Sequence, residues 1–270
     1  MNNWLLLSIL AVLQGVAEFL PVSSSGHLAL LCKLCSLPQE DGTAFSIVLH
    51  AGSLLAIITF YFRTILGFIK KDQRHLLLMI IVASIPAGVV GIWLKKSGMM
   101  ELLFGDMLSL AMGFLITASL LRLTGKEKLR AKTETDLKDI TLKQAATVGF
   151  AQAFAIIPGI SRSGSTIACG ILSGIKFEAA ATFSFLLALP AIAGATLLEV
   201  IDLCKNGFQI GRFSAVQLSA AFVISALASF ASLCLLVKLI RMRKLSWFSW
   251  YLFAIGASVM IWQILSLSKG

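Results

Sequence analysis

Residues 158–166 contain the densest group of reactive side chains in the sequence. The run Pro158-Gly-Ile-Ser-Arg-Ser-Gly-Ser-Thr166 surrounds one arginine with hydroxyls and glycines, and apolar segments flank it on both sides. Small residues let backbone amides approach a ligand, hydroxyls donate hydrogen bonds, and a guanidinium can hold a phosphate through two parallel bonds. An arginine between membrane-like segments is a functional candidate by default, because burying its charge in lipid is unfavourable. The pattern favours an anion site, and the alternative is a polar turn joining two helices.

A second polar group interrupts the apolar sequence near the amino terminus. Gln14 and Glu18 are four residues apart and therefore share one face of a helix. Pro21-Val-Ser-Ser-Ser-Gly-His27 follows, with three serines within four residues of an imidazole. Imidazole beside hydroxyls suits acid–base or nucleophilic chemistry. The alternatives are a buried Glu18 bonded to a partner helix and a His27 that caps the turn. Chemistry alone does not rank the three serines.

The composition indicates that both groups lie inside a membrane protein. The chain is 58% hydrophobic and only 13% charged, with a mean hydropathy of +0.91, whereas soluble domains carry roughly 25% charged residues. Apolar segments recur along the whole length, which excludes a soluble body behind a signal peptide. The net charge of +10 lies mostly in short loops, as is typical of membrane topology. We therefore expect membrane lipid, and not nucleic acid, as the partner of these basic residues.

The helices that must position the two polar groups are of two kinds. Segments 4–20 and 145–157 lead into the polar breaks and are followed by short segments 28–37 and 167–175. A helix, a break and a short helix predict a re-entrant hairpin, which a membrane tolerates only where protein or a wet cavity surrounds it. A solvated cytoplasmic loop is predicted over 122–143. Six further segments are long enough to span a bilayer: 44–62, 76–94, 102–121, 179–200, 213–236 and 247–267.

The predicted fold class is therefore an all-α polytopic membrane protein, in one membrane domain over residues 1–270, with six transmembrane helices and two re-entrant broken-helix hairpins. A constant offset of 138 residues aligns its halves without a gap, and matches cluster at the breaks. Gln14 meets Gln152, Ser23 meets Ser161, and Gly26 meets Gly164. This predicts internal repeats at about 4–122 and 142–260.

The distribution of basic residues predicts how the repeats are oriented. Loops 63–75, 122–143 and 238–244 hold 4, 7 and 4 Lys/Arg, whereas loops 95–106 and 202–212 together with the chain ends hold 5. The positive-inside rule puts the first set in the cytoplasm and both termini outside. The repeats are then inverted, and their breaks meet near the midplane. Glu18, Ser23–Ser25 and His27 would face Ser161–Thr166, which together suit phosphoryl transfer. Residues 164–166 would open a half-helix whose amides favour an anion.

At these residues the chain resembles the undecaprenyl-diphosphate phosphatase family, integral membrane enzymes associated with bacitracin resistance. Gln14-Gly-Val-Ala-Glu18 and Pro21–His27 look like its (E/Q)xxxE and PVSSxGH elements, and 158–166 is similar to its PGxSRSxxT element. The resemblance implies hydrolysis of undecaprenyl diphosphate to the monophosphate and phosphate, which recycles the lipid carrier for cell-wall synthesis. It also implies a divalent metal, Mg²⁺ or Ca²⁺, and a site on the outer face of the bacterial plasma (inner) membrane.

The resemblance also implies roles for individual residues. Ser24 matches the proposed nucleophile, His27 the essential histidine, and Glu18 a metal- or diphosphate-handling carboxylate. Gln14 stands where many members have glutamate, which removes one anionic ligand. The expected catalytic residues are Ser24, His27, Glu18 and Arg162, with Glu18 also the metal ligand. The expected substrate-binding residues are Gln14, Ser23, Ser25, Gly26, Ser161, Ser163, Gly164 and Thr166.

Two mechanisms of action stay open at this stage. In the first, Arg162, the half-helix amides and a Glu18-associated cation hold the diphosphate, Ser24 or water attacks, and His27 is the acid–base group. In the second, the protein is a transporter or flippase for the prenyl phosphate lipid, because inverted repeats with broken helices are transporter architecture. A homodimer is a further possible partner in either case.

Overall fold

The computed structural model describes residues 3–35, 42–68, 73–126, 133–205 and 213–268. Within these ranges the regular structure is helical, apart from one isolated bridge between Thr135 and Ile175. Residues 36–37 of the predicted short segment and 127–132 of the predicted cytoplasmic loop lie outside the described residues. The helices are α1 Asn3–Phe19, α2 Ser24–Leu34, α3 Gly42–Phe60, α4 Phe62–Gly67, α5 Arg74–Lys96, α6 Met99–Gly105, α7 Met107–Leu123, α8 Leu142–Phe154, α9 Arg162–Leu172, α10 Phe177–Lys205, α11 Ala215–Arg241 and α12 Phe248–Leu267.

Length and composition make several of these helices membrane spans. In the described ranges, four stretches are long and apolar enough to cross a bilayer: Arg74–Lys96, Phe177–Lys205, Ala215–Arg241 and Leu245–Ser266. Shorter apolar helices cover Trp4–Phe19, Phe45–Phe60 and Met107–Leu123. Only 22–33% of the most apolar stretch of each long span is buried inside the protein, so these helices keep apolar side chains at the protein surface, as contact with lipid requires. The predicted all-helical, multi-pass membrane protein is confirmed at this level.

The predicted continuous span over 102–121 is wrong, because a break at Asp106 divides it into α6 and α7. The Asp106 carboxylate accepts hydrogen bonds from the amides of Leu108 and Ser109 at 3.0 and 2.9 Å, and so caps α7. The Ser109 hydroxyl also donates to it, and these bonds hold the pKa of Asp106 below its ordinary value. A capping aspartate inside an apolar segment thus starts a new helix.

Both short helices begin earlier than predicted. Segment 28–37 was expected to follow the first polar break, yet α2 begins at Ser24, and α9 begins at Arg162 instead of at 164–167. The reason is that Ser23 and Ser161 are N-caps, whose hydroxyls accept from the amides of Gly26 and Gly164 at 3.3 and 3.1 Å. The reactive side chains after each cap therefore stand on a first helical turn. Each helix has 11 residues, or about 16 Å, roughly half the hydrocarbon thickness of a bilayer.

Neighbouring helices enclose both short helices and the backbone that precedes them. Helix α1 packs on α2 and α11, α8 packs on α5 and α9, and α9 also contacts α7 and α10. Aromatic rings fill the space between them: Phe19 meets Phe185 edge-on at 5.9 Å between centroids, and Phe114 is fully buried. The non-helical backbone at both breaks is thus surrounded by protein, which is the condition for such backbone within a membrane.

Glycines permit the closest of these approaches, between α7 and the turn before α9. Gly159 has a left-handed φ of +84°, and a Cβ there would collide with the Leu110 carbonyl oxygen. A Cβ at Gly113 of α7 would collide with the Pro158 carbonyl in the same contact. This close contact fixes the position of the turn that carries Ser161 and Arg162 against α7.

Gly159→Ala is expected to destabilise the protein by about 2 kcal/mol or more, since it adds both backbone strain and overpacking. The matched control is Gly88→Ala in α5, where an added Cβ meets nothing within 4 Å and the helix gains slightly in stability. Thermal melting of the purified variants in detergent, followed by size exclusion, measures the difference. Equal melting temperatures for the two variants would contradict the close contact.

Candidate active site

Glu18 is the centre of a polar cluster that joins three helices. It lies in the last turn of α1, and its Oε1 is 2.7 Å from Nη2 of Arg162, the first residue of α9. Its Oε2 accepts from Ser24 Oγ of α2 at 2.7 Å and from Gln14 Nε2 of α1 at 2.9 Å. Residues 144 positions apart in the sequence are thereby in direct contact. The structure brings together Glu18, Ser24, Arg162 and Gln14, all four of which the sequence singled out.

This cluster is largely withdrawn from solvent. The Glu18 side chain is 8% exposed and the Arg162 side chain 17% exposed, and Gln14 is buried. A buried ion pair contributes little net stability, but removing one partner strands the other charge at a cost of about 3–5 kcal/mol. Either charge would have a high free energy if it were buried alone, so the two side chains stay together. A ligand that replaces one partner must supply an equivalent charge.

The three serines before His27 have different environments. Ser24 alone reaches Glu18; Ser23 Oγ caps α2 and lies 3.4 Å from Ser25 Oγ. Ser23 also has a left-handed φ of +70°, which is uncommon outside glycine. Gly26, against the Phe114 ring, donates its amide to Ser23. The geometry thus ranks Ser24 first, where the residue types left the three equal.

The hydroxyls of the second break bond mainly to one another and to nearby backbone. Ser161 Oγ lies 3.2 Å from Ser163 Oγ, and its backbone amide donates to Thr117 Oγ1 at 2.9 Å. Ser163 Oγ donates to the Leu20 carbonyl at 3.2 Å, and Thr166 Oγ1 meets Ser184 Oγ at 2.6 Å. The Gly164 amide is bonded to its cap. These expected substrate-binding residues therefore stabilise the turn from which the Arg162 side chain extends.

Both ring nitrogens of His27 have hydrogen-bond partners other than Ser24. Its Nδ1 is 2.8 Å from the Ser23 carbonyl oxygen, and its Nε2 is 2.6 Å from the Tyr251 hydroxyl of α12. The Phe114 ring packs against the imidazole with centroids 5.1 Å apart. The sequence did not indicate Tyr251, which is 224 residues away; its only signal is a tyrosine in an otherwise apolar span. The bond to the Ser23 carbonyl agrees with the alternative in which His27 caps the turn.

An apolar cleft of about 440 Å³ reaches the His27–Tyr251 pair. Its walls come from α1, the end of α11 and the start of α12, with Lys244 and Trp247 also lining it. Leu13 and Ala17 of α1, and Leu20 just after its end, face this cleft, whereas Gln14 and Glu18 occupy a different face of the same helix. The cleft therefore reaches His27 on one face of α1, and the ion pair lies on another.

A second polar group between α3 and α10 was also missed. Ser46 Oγ donates to Glu199 Oε1 at 3.2 Å and lies 3.3 Å from His50 Nδ1, which is 3.9 Å from Glu199 Oε2. At the end of α10, Lys95 pairs with Asp202. These side chains come from separate apolar segments, so neither spacing nor local composition could identify them.

The residues around Glu18 fit a divalent cation in one respect. Gln14 Oε1 is buried without a hydrogen-bond partner among the described residues, next to the Glu18 carboxylate. Mg²⁺ and Ca²⁺ prefer oxygen ligands, and Mg²⁺ is commonly bound by one or two carboxylates together with substrate phosphate and water. In the described ranges no group of three His, Cys, Asp or Glu side chains could hold a metal.

The family is decided by the match of a protein-family model. The model described as bacitracin resistance protein BacA matches residues 7–258, and so covers both polar breaks and every helix that positions them. The chain belongs to the BacA family.

Curated relatives that match this chain over most of their length share one name, undecaprenyl-diphosphatase. The chain is 34% identical to the undecaprenyl-diphosphatase of Bacteroides thetaiotaomicron, over 97% of this chain and 100% of the relative. It is 37% identical to that of Alteromonas mediterranea, over 96% and 97% of the two chains. The undecaprenyl-diphosphatase of Methanosphaera stadtmanae is 37% identical over 82% of this chain and 84% of the relative. The family that the two sequence motifs resembled is confirmed.

Proposed function

We propose that this protein hydrolyses undecaprenyl diphosphate to undecaprenyl phosphate and inorganic phosphate. The observation that carries the proposal is the Glu18–Ser24–Arg162 cluster, in which a hydroxyl, a carboxylate and a guanidinium from three helices meet. The names of the relatives supply the lipid diphosphate as substrate. A role in recycling the lipid carrier for cell-wall synthesis, and in bacitracin resistance, fits the same family.

In the proposed mechanism, Arg162 binds the terminal phosphoryl group. Its guanidinium can form two parallel bonds to phosphate oxygens and neutralise charge that develops on them. The substrate would replace Glu18 as the partner of Arg162, which leaves the carboxylate beside the Ser24 hydroxyl. A divalent cation held by Glu18 and Gln14 oxygens would supply further charge neutralisation when bound.

Ser24 is the proposed nucleophile, with Glu18 as its base. The Ser24 proton already points at Glu18 Oε2 across 2.7 Å, so transfer of that proton accompanies formation of the Oγ–P bond. The bridging P–O bond breaks and the prenyl phosphate leaves; water then hydrolyses the phosphoserine. The His27 acid–base role expected from the sequence has less support, because both ring nitrogens are bonded elsewhere.

The proposed membrane arrangement is six spans and two re-entrant hairpins in an inverted repeat, with the site open to the outer face of the plasma membrane. Several observations support it. Helices α2 and α9 begin and end 138 residues apart, which is the offset of the sequence matches. In the two proposed repeats α1 corresponds to α8, and α5 corresponds to α11. Helix α1 packs on α11 and α8 packs on α5, so corresponding helices make equivalent contacts, as a pseudo-two-fold axis requires. Labelling single cysteines near Trp4 and Trp247 with an impermeant reagent, in a variant without native cysteines, tests the opposite sidedness of these two positions.

The function is tested by phosphate release from the lipid diphosphate, using purified protein in detergent with Mg²⁺, with Ca²⁺ or with a chelator. Release that depends on protein is expected, and the chelator arm tests the metal. Lack of release in every arm would contradict hydrolysis and favour lipid transport, the other reading of an inverted repeat.

Gln14→Glu is expected to lower the Mg²⁺ concentration that gives half-maximal release by several-fold. A second carboxylate would lie about where Gln14 Nε2 now meets Glu18, and two like charges need a cation between them. The same repulsion predicts a lower melting temperature in chelator that Mg²⁺ restores. A melting temperature indifferent to Mg²⁺ would count against a cation at this position.

A further inference from the structure

Tyr251 makes a short, well-aligned contact with His27. The hydroxyl is 2.6 Å from Nε2, and the two rings are nearly parallel, at 12° between planes and 5.7 Å between centroids. In the described part of the chain, these atoms link α12 to the first turn of α2. Helix α2 also carries Ser24, which contacts Glu18, so the contact connects α12 to a helix that contributes to that cluster.

The second ring nitrogen fixes which atom donates in this contact. A carbonyl oxygen only accepts, so His27 Nδ1, at 2.8 Å from the Ser23 carbonyl, must carry a proton and donate it. In the neutral ring Nε2 is then an acceptor, and the Tyr251 hydroxyl donates to it. Tyr251 and Ser23 therefore hold the ring from its two ends.

The Ser23 carbonyl group is bonded to Ser24, the serine proposed to react. Ser23 combines a φ of +70° with the capping position of α2, a conformation that persists only where its surroundings hold it. His27 holds this residue through its carbonyl, and the next residue, Ser24, donates to Glu18. The contacts thus form a continuous series from Tyr251 through His27 and Ser23 to Ser24.

We propose that Tyr251 is a positioning residue that, through His27 and the Ser23 carbonyl, holds the Ser24 hydroxyl against Glu18. This inference rests on the proposed hydrolysis. It gives His27 a part in the reaction that does not require its ring to touch the substrate. Misplacing a reacting group by about 1 Å can lower a rate by about 10²-fold, so a partly misplaced Ser24 loses turnover while Arg162 continues to bind phosphate.

The test is a double-mutant cycle on phosphate release. Tyr251→Phe is expected to lower kcat about ten-fold and to change KM less than about two-fold, since binding through Arg162 is kept. In a His27→Ala background the same substitution is expected to have no further effect on kcat, because the imidazole through which Tyr251 acts is already missing. Tyr61→Phe, which removes the hydroxyl of the other tyrosine in the sequence, is the matched control and is expected to keep wild-type kcat.

A measurement independent of activity uses the three histidines of the chain. In protein labelled with ¹⁵N-histidine, Tyr251→Phe is expected to shift the Nε2 resonance of His27, assigned by its loss in His27→Ala, and to leave the other imidazoles unchanged. Wild-type kcat in Tyr251→Phe, or an equal loss in both backgrounds, would overturn the positioning role. An unshifted Nε2 resonance would overturn the pairing itself. Absence of phosphate release from the wild type would instead contradict the proposed function, while the resonance would still report the pairing.

Discussion

Arg162→Ala is expected to lower kcat/KM for the lipid diphosphate by about 10³-fold or more, the effect typical of an arginine that neutralises a transferring phosphoryl group. Arg162 is the described cation that touches the Glu18–Ser24 pair. Its loss leaves a carboxylate facing an anionic substrate, so attraction is replaced by repulsion. Phosphate release measured across substrate concentrations gives the loss, which is expected in both kcat and KM.

Arg162→Ala also leaves the buried Glu18 charge without a partner. The effect of the substitution on folding must therefore be separated from its effect on catalysis. Arg162→Ala is expected to lower stability by about 3–5 kcal/mol. Adding Glu18→Gln removes the stranded charge and is expected to restore much of the melting temperature without restoring activity. Arg162→Lys keeps the charge but loses the planar pair of donors, and should retain part of the activity. Near-normal release by well-folded Arg162→Ala would mean that another group binds the phosphate.

Ser24→Ala is expected to lower kcat by about 10³-fold or more, as loss of a nucleophile does elsewhere. Its hydroxyl is the one serine oxygen of the first break that donates to Glu18. KM is expected to change little, because Arg162 remains. The variant should fold, since the side chain is half-buried and alanine suits a first helical turn.

Comparison among the neighbouring serines makes this prediction specific. Ser25→Ala is expected to lose much less activity than Ser24→Ala, because the hydrogen-bond partner of Ser25 Oγ among the described residues is Ser23 Oγ, at 3.4 Å, and not Glu18. Trapping labelled phosphate on the protein by rapid quenching, and finding none in Ser24→Ala, would identify the phosphoserine. Undiminished turnover in Ser24→Ala would assign the attack to water or to a neighbouring serine.

Much of the cluster was predictable because its residues are polar in an apolar sequence. Gln14 and Glu18 share a helical face by their spacing alone, and the repeat offset together with the distribution of basic residues predicted that Glu18 faces 161–166. The ion pair at 2.7 Å agrees with that placement. What spacing could not give was the direction of each side chain, and therefore the choice of Ser24 over Ser23 and Ser25.

Other features depend on contacts between distant segments, which spacing does not reveal. Tyr251 and Glu199 belong to no recognisable motif in their helices, and only packing brings them to His27 and His50. The starts of α2 and α9 were misjudged because serine caps draw the following polar residues into a helical turn. The break at Asp106 was overlooked for a similar reason, since hydropathy averages over a single capping carboxylate.

The separation of 144 positions between Glu18 and Arg162 has a consequence for biosynthesis. A ribosome adding about 5–20 residues per second delivers the arginine roughly 7–30 s after the glutamate. Throughout that interval Glu18 lacks the cation that it contacts in the folded protein, and the hydrocarbon interior is a poor solvent for its charge. Burial of Glu18 is therefore most favourable once Arg162 has been made, and a chain truncated before Arg162 lacks the charge that completes the pair.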